Sequence, residues 1–381
     1  MRQIIKVIGL GLISIFSVCG TAQAELLIGR LGTLKNPIGA PTTISSAEGF
    51  DLYVKKVNDA GGINGEPLRV IFRDDEFNPK LVVERAQQLI DEDKVLAIVL
   101  PQGTPGTLAL NKSGVLKEAG IALVAPFGDV QVLASPNVFP IRSSYDDEVA
   151  ALARQMTIIG QKRVAYFYYN TSQGPLFAPV FEKIVKAAGL DYVGAVGFDI
   201  DPAPEVQARL MKEAMTKLGA LHPDAVFTFA VGPTFPIAMR QMLQTLGRGV
   251  TRYTFSINNW QTLIKQIGEE DARGMVFSQS VPYPYNVARK IVVEYRDALK
   301  KGGPALTPSF AGLEGYMAAK VLVTAIRHAG PKPTKEKVLA ALESLGRYDL
   351  GDYVLNYSPV LHKAEPSVDI TIIGSQGRLI K

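Results

Sequence analysis

The most constraining feature of this sequence is a regular alternation of short apolar segments with longer amphipathic ones. Residues 26–31 and 68–74 are rich in aliphatic and β-branched side chains, whereas the segments between such runs repeat apolar residues at helical spacing. Strands that alternate with helices form parallel sheets whose two faces are covered by helices. The pattern therefore predicts an α/β protein built on doubly wound parallel sheets.

The first unit begins after residue 25 and shows clear helix boundaries. Asn78-Pro79 supplies an N-cap followed by proline at the first helical position, and Gly61-Gly62 is a C-terminal stop signal. The predicted strands of this unit are 26–31, 68–74, 95–100 and 121–125, and its predicted helices are 47–60 and a segment that starts at 79.

The same alternation restarts after residue 142 and continues to about residue 256. A third stretch has three helices and too few strands for a domain of its own, so we expect it to return to the first unit. The sequence predicts two lobes, made of residues 25–142 with 281–350 and of residues 143–280 with 351–381, joined by about three hinge crossings. A cleft between two lobes joined in this way is an expected ligand site.

The first 24 residues have the pattern of a secretory signal peptide. Arg2 and Lys6 accompany an apolar stretch that is shorter than the ~20 residues of a membrane span, and Ala22-Gln23-Ala24 is a small-x-small cleavage motif. We expect cleavage after Ala24 and a periplasmic mature protein. Because the single cysteine, Cys19, lies in the signal, the mature chain has no thiol for catalysis or metal binding.

Composition and motifs favour no enzyme class. The net charge is only +5, without a clustered basic stripe, so nucleic acid is not an expected partner. The sequence contains no G-x-S-x-G elbow, P-loop or H-E-x-x-H motif. We therefore predict no catalytic residues, no metal site and no cofactor.

The remaining candidates lie where predicted strands end, which is the edge that binds ligands in open α/β sheets. Residues 101–107 read Pro-Gln-Gly-Thr-Pro-Gly-Thr and lead into a helix, whose exposed amides suit a carboxylate; an ordinary helix start is the alternative. Phe127 and Trp260 could cover an apolar part of a ligand. The candidate ligand-binding residues are Gln102, Gly103, Thr104, Thr107, Phe127, Gly128, Asp129, Gln173, Gly232, Thr234, Asn258 and Trp260.

Residues 57–65, Val-Asn-Asp-Ala-Gly-Gly-Ile-Asn-Gly, together with Asp74-Asp75 and Asn78-Pro79, resemble the leucine/isoleucine/valine-binding type of periplasmic solute receptor, which has the type I fold and serves ABC importers. The resemblance covers essentially the whole mature chain. It implies a two-lobe protein that closes on a small-molecule ligand, with a membrane permease as partner. It also implies that Thr104 holds the ligand carboxylate, with Gln102 and Gly103 beside it.

The chain departs from that family at several ligand positions. Asp129 stands where a hydroxyl is usual, Gln173 where an aromatic often closes over the ligand, and Gly232 where tyrosine is common. The amino-acid receptors also carry an acid after the strand ending near residue 256, whereas here residues 257–260 read Ile-Asn-Asn-Trp.

This last departure leaves two hypotheses for the ligand, because a buried ammonium without a carboxylate partner costs several kcal/mol. Either Asp129 pairs with the ammonium of an amino acid, or the ligand is a carboxylate without an amine, aromatic or aliphatic. The leading function is an importer receptor. A ligand-sensing module for a signalling partner is the second hypothesis, and an exported enzyme is the third.

Overall fold

The computed structural model describes residues 24–129, 134–170, 173–201, 203–365 and 367–381. The predicted signal peptide therefore lies outside the described residues, apart from Ala24 at its end, as do Thr171 and Ser172 of one predicted strand-end loop. Among the described residues, none of the helices has both the length and the apolar character that crossing a bilayer requires.

Strands and helices alternate along most of the chain. The strands are β1 (Leu26–Gly32), β2 (Leu68–Asp74), β3 (Ala97–Val99), β4 (Ala122–Val124), β5 (Val138–Phe139), β6 (Arg163–Tyr169), β7 (Asp191–Phe198), β8 (Ala225–Phe229), β9 (Thr251–Thr254), β10 (Val276–Gln279), β11 (Gly346–Asp349), β12 (Val354–Ser358), β13 (Leu361–Ala364), β14 (Asp369–Ile373) and β15 (Leu379–Ile380). The helices are α1 (Ala40–Asp59), α2 (Pro79–Asp91), α3 (Thr104–Ser113), α4 (Val115–Ala119), α5 (Tyr145–Ile158), α6 (Gly174–Ala187), α7 (Pro204–Gly219), α8 (Thr234–Leu246), α9 (Trp260–Ile267), α10 (Glu269–Ala272), α11 (Lys290–Gly302), α12 (Phe310–His328) and α13 (Lys335–Glu343).

The first lobe is built on a parallel five-stranded sheet with the order β2-β1-β3-β4-β5. Alternate side chains of each strand point to opposite faces, so Ile28 and Val99 pack against α1 and α11 to α13, whereas Leu31 and Ile98 pack against α2 to α4. This arrangement confirms the predicted doubly wound sheet.

The second lobe is built on a seven-stranded sheet with the order β15-β14-β10-β9-β8-β6-β7. Its five strands β6 to β10 are parallel, β14 pairs antiparallel with β10, and β15 pairs antiparallel with β14. One face packs against α7 to α9 and the other against α5 and α6. The last two strands of the chain, β14 and β15, therefore form one edge of the second lobe's sheet.

The third crossing between the lobes lies later in the chain than residue 350, the predicted boundary. Strands β11 to β13 form a small antiparallel sheet, and Leu355, Tyr357 and Ala364 are buried in the core of the first lobe. The Tyr357 hydroxyl donates to the carbonyl of Pro140 at 2.8 Å. Residues 351–364 thus belong with the first lobe, because alternate apolar side chains of β12 face its core, and the chain crosses between β13 and β14.

Helices α1 and α12 cross in backbone contact within the first lobe. A Cβ on Gly49 would lie 1.7 Å from the carbonyl oxygen of Gly312, and a Cβ on Gly315 would lie 1.9 Å from that of Ser46. Only glycine allows two helices to approach this closely. The contact fixes the position of Glu314, which lies between the two glycines of α12.

Candidate functional site

A cavity of about 550 Å³ lies between the two lobes. Its first-lobe wall comes from the segment before α1 and its first turns, from the start of α3 and from the start of α12; its second-lobe wall comes from the loops after β6, β8 and β9. These loops follow the carboxyl ends of parallel strands, where open α/β sheets bind ligands. The cavity therefore combines loop backbones from both sheets.

The start of α3 forms a polar pocket in the first-lobe wall. Gly103 has φ 81°, and its N–H donates to the carbonyl of Phe127 at 2.7 Å. The Thr104 hydroxyl accepts the N–H of Asp129 at 2.8 Å, which joins two strand-end loops. The first N–H groups of a helix have no acceptor within the helix and carry about half a positive charge together. This helix start is therefore suited to an anionic oxygen.

Two residues with left-handed backbone turn the strand ends toward the cleft. Leu100 and Ala125 have φ angles of 57° and 55° although neither is glycine. They precede a parallel bridge between Gln102 and Phe127, and the Gln102 amide donates to the carbonyl of Leu100 at 3.1 Å. Such positions persist only where surrounding contacts impose them, and here they fix the loop that leads into α3.

The second-lobe wall is polar at its base and aromatic at its edge. Asn258 donates to the carbonyl of Ala230 at 2.9 Å and to the hydroxyl of Thr254 at 2.8 Å, so its amide holds the loop after β9. Asn259 caps α9 by accepting the N–H of Thr262 at 2.8 Å, which sets Trp260 at the cavity. The aromatic side chains that line the cavity are Phe77, Phe127, Tyr145, Tyr169, Phe229, Trp260, Tyr283, Tyr285 and Phe310.

The structure brings most of the predicted ligand residues together. Those that line the cavity are Gln102, Gly103, Thr104, Phe127, Gln173, Gly232, Asn258 and Trp260. Those outside its lining are Thr107, Gly128, Asp129 and Thr234.

The residues outside the lining support the loops instead. Thr107 and Thr234 donate their hydroxyls to the carbonyls of Gly103 and Val231, which closes the first turns of their helices. Gly128 packs against Thr104. Asp129 is buried, and its backbone N–H donates to the Thr104 hydroxyl.

Two charged residues that the sequence analysis did not single out line the cavity, Arg142 and Glu314. Their side chains are 2% and 3% exposed, and the Arg142 Nε lies 3.7 Å from the Glu314 Oε1. Burial raises the pKa of the Glu314 carboxyl to about 7, and Arg142 limits that rise. The available signal for Glu314 was that it is the one acid of α12 and lies in the helix's apolar first half, before Lys320.

Arg142 also joins the two lobes at the cavity floor. Its Nη2 donates to the hydroxyls of Ser256 at 2.7 Å and Ser280 at 2.8 Å. Glu148, buried on α5, accepts the N–H and the hydroxyl of Ser256, each at 2.9 Å, and the hydroxyl of Ser278. Burial raises the pKa of Glu148, and Arg142 and these hydrogen bonds oppose the rise. Across the described ranges, no three His, Cys, Asp or Glu side chains are grouped so as to hold a metal.

The two lobes approach each other closely at Gly232 and Ile38, which both line the cavity. Gly232, at the end of the second lobe's β8 loop, has φ 61°, and a Cβ on it would lie 2.8 Å from the Cγ1 of Ile38 in the first lobe. A side chain in place of Gly232 would therefore push against the opposite lobe. This contact closes one side of the cavity.

Comparison with known proteins agrees with the fold. The family model described as "Periplasmic binding protein" matches residues 25–372. A "Leu/Ile/Val-binding protein homolog 3" of Brucella melitensis is 25% identical over 361 residues, which are 92% of this chain and 91% of that protein.

Two solved structures show the same architecture. A substrate-binding periplasmic protein from Ralstonia solanacearum superposes with a TM-score of 0.81 and 28% identity, over 94% of this chain and 99% of that one. The leucine-binding protein LivK of Thermotoga maritima, at 19% identity, matches in fold with a TM-score of 0.77 over 93% and 97% of the two chains. The chain therefore belongs to the periplasmic binding protein family, in its type I, Leu/Ile/Val-binding-like branch.

Proposed function

We propose that this protein is an extracytoplasmic receptor that captures a neutral amino acid with a large apolar side chain and delivers it to the permease of an ABC importer. The observation that carries the proposal is the cavity between the lobes, with the start of α3 in one wall and aromatic side chains around it. The names of the relatives, which include Leu/Ile/Val-binding proteins, support the amino-acid class.

The ligand carboxylate would bind at the start of α3. Thr104 is 6% exposed, and its hydroxyl, which accepts from Asp129, keeps its own proton for donation. Together with the N–H groups of the first helical turn, it offers donors at a point of positive potential. This site needs no charged side chain, so the carboxylate is held without a competing ion pair.

The apolar part of the ligand would lie among the aromatic side chains. Pockets for small molecules are lined mostly by apolar groups, with a few polar groups that fix orientation. Rings such as Phe127 and Phe229 present flat apolar surface, and each buried methylene contributes about 0.8 kcal/mol. Large apolar side chains would therefore bind more tightly than small or charged ones.

Closure of the lobes would be the mechanism of capture. The chain passes between lobes at residues 140–145, 279–283 and 364–369, and a ligand that contacts both walls stabilises the closed arrangement. The closed surface is what a permease would distinguish from the empty receptor. Loss of amino-acid uptake in a strain that lacks the protein would support this importer role, and unchanged uptake would contradict it.

A thermal-shift screen of the mature protein tests the proposal. The panel contains branched-chain and aromatic amino acids together with their amine-free carboxylates. A ligand present at 100 times its dissociation constant stabilises the protein by about 2.7 kcal/mol, which such a screen detects. We expect apolar amino acids to raise the melting temperature; a panel without any shift would contradict the proposal.

Removing the Thr104 hydroxyl is expected to weaken ligand binding by about 10- to 100-fold. The Thr104→Val variant keeps the shape of the side chain but loses a hydrogen bond to a charged group, which contributes about 1.5–3 kcal/mol. Titration calorimetry with the best ligand of the screen measures the change. Thr104→Ser keeps the hydroxyl and is the matched control. Equal affinities for valine and serine variants would show that the carboxylate binds elsewhere.

Replacing Gly232 by alanine is expected to weaken binding by about tenfold through hindered closure. The new Cβ would lie 2.8 Å from the Ile38 Cγ1, and relieving such an overlap costs about 1–3 kcal/mol. Left-handed backbone strain, about 1–2 kcal/mol, lowers stability in the open and closed forms alike. The second substitution Ile38→Ala should therefore restore affinity without restoring the melting temperature. If it restores neither, the contact between the lobes does not control closure.

A further inference from the structure

Glu314 is an incompletely bonded carboxyl group at the floor of the cavity. Its Oε1 has no hydrogen-bond partner among the described residues, and its one polar contact is Arg142 at 3.7 Å. Glu148, the other carboxyl beside Arg142, accepts three hydrogen bonds and does not line the cavity. Of the two buried acids, Glu148 has its hydrogen bonds satisfied within the protein, whereas Glu314 has an unbonded carboxylate oxygen that can accept a hydrogen bond from a ligand.

Among the groups around Glu314, the positive charge of Arg142 is shared with a second carboxyl group, Glu148. Arg142, in the first segment that joins the lobes, lies between Glu314 and Glu148. Helix α1, which packs across α12, contributes the small residues Ser46 and Gly49. The nearby hydroxyl of Tyr353 is committed to the carbonyls of Ile141 and Ser280. One guanidinium thus faces two carboxyls, and the hydrogen bonds to Glu148 favour that residue as the ionised partner.

We propose, building on the amino-acid receptor proposed above, that Glu314 is the counter-group for the ligand ammonium and releases its proton when the ligand binds. A count of the charges buried at the cavity supports this release of a proton. With the cavity empty, Arg142 and ionised Glu148 balance each other and a protonated Glu314 adds no charge. An ammonium in the cavity brings one positive charge, and ionisation of Glu314 supplies its partner. At Glu314, binding therefore exchanges a proton for an ammonium without a change of charge, and the ligand carboxylate is balanced separately by the positive start of α3.

The proposal also accounts for two features of the sequence. Residues 257–260, which line the second-lobe wall, contain no acid, and Asp129 lies outside the cavity lining. Within the described part of the chain, Glu314 is the carboxylate that lines the cavity.

The linkage to pH has a definite sign. The pKa of Glu314 in the empty protein is about 7, and a bound ammonium lowers it. Binding at pH 7 should then release about half a proton, and binding at pH 6 close to one. Affinity should rise about tenfold per pH unit as the pH increases toward 7 and should level off above pH 8.

Titration calorimetry in phosphate and in Tris, buffers of different ionisation enthalpy, measures the released protons. The probes are L-leucine and L-phenylalanine, with 4-methylpentanoate and 3-phenylpropanoate as their amine-free counterparts. The proteins are wild type, Glu314→Gln and Glu148→Gln, each checked for its melting temperature. The Glu148→Gln variant removes the other buried acid beside Arg142, whose charge raises the pKa of Glu314, so Glu314 should be ionised in it before the ligand binds.

We expect proton release from wild type with the amino acids, and less release from Glu148→Gln, because Arg142 then holds Glu314 in its ionised form. Glu314→Gln should bind them at least about 30-fold more weakly and without proton release. If Glu314→Gln does not fold, the proton count of wild type decides alone. Zero release, undiminished affinity of Glu314→Gln, or tighter binding of the amine-free acids would overturn the role of Glu314. If Glu314→Gln binds the amino acids as tightly as wild type while Thr104→Val binds them more weakly, the receptor function stands and only the role of Glu314 is refuted.

Discussion

Replacing Gly315 by alanine is expected to lower the free energy of unfolding by about 2 kcal/mol or more. Alanine gains about 1 kcal/mol over glycine inside a helix, so propensity alone predicts stabilisation. The new Cβ, however, would lie 1.9 Å from the backbone carbonyl oxygen of Ser46, where no flexible side chain can move aside. Relieving that overlap requires α1 and α12 to separate, at a cost of about 3 kcal/mol or more. The overlap therefore outweighs the propensity.

Denaturant unfolding of the ligand-free protein measures this change. Gly219→Ala is the matched control, because Gly219 is also helical and its Cβ would make only an ordinary contact at 3.5 Å from Leu246. That variant should be as stable as wild type or up to about 1 kcal/mol more stable. If the two alanine variants shift stability in the same direction by similar amounts, the close approach of α1 and α12 is wrong.

Replacing Gly128 by alanine is expected to weaken ligand binding by about 100-fold or more. The added Cβ would lie 2.9 Å from the Thr104 hydroxyl and 3.0 Å from the Thr104 backbone nitrogen. It would displace or cover the donors proposed for the carboxylate, and two hydrogen bonds to a charged group contribute about 3 kcal/mol or more. The predicted effect exceeds that of Thr104→Val because both the amide and the hydroxyl are lost.

Titration calorimetry and circular dichroism together test the Gly128 variant. A Cβ on Gly249 would meet nothing within 4 Å, so Gly249→Ala is the control for glycine replacement in general. We expect Gly128→Ala to keep its secondary structure and lose its ligand, whereas Gly249→Ala keeps both. Affinity of Gly128→Ala within threefold of wild type would place the ligand away from the start of α3.

Hydrophobic periodicity predicted most of the fold. The strand at 68–74 agrees with the bounds of β2, and the helix predicted to start at 79 begins at that residue as α2. Helix α1 instead begins at Ala40, well before the predicted residue 47. The prediction missed its first turns because they carry proline, threonine and serine, which are weak helix formers. Packing against α12 stabilises these turns, and that long-range contact leaves no local signal in the sequence.

The same limit explains the misplaced lobe boundary and the missed charges. Residues 351–364 join the first lobe through contacts of β12 and β13 with distant parts of the chain. Arg142 reads as a linker residue in the sequence, and its ion pair with Glu314 joins residues far apart in the chain. The expectation that open α/β sheets bind ligands where their parallel strands end, in contrast, needs only the order of strands and helices. It identified Thr104, Phe127 and Trp260 as cavity residues.

A crystal structure of the mature protein with the best ligand from the screen tests the central claim most directly. The account predicts a ligand carboxylate within hydrogen-bond distance of the Thr104 hydroxyl and the first N–H groups of α3, with Trp260 and Gly232 of the second lobe against the same molecule. A ligand held by one lobe alone, or with its carboxylate away from α3, would contradict it.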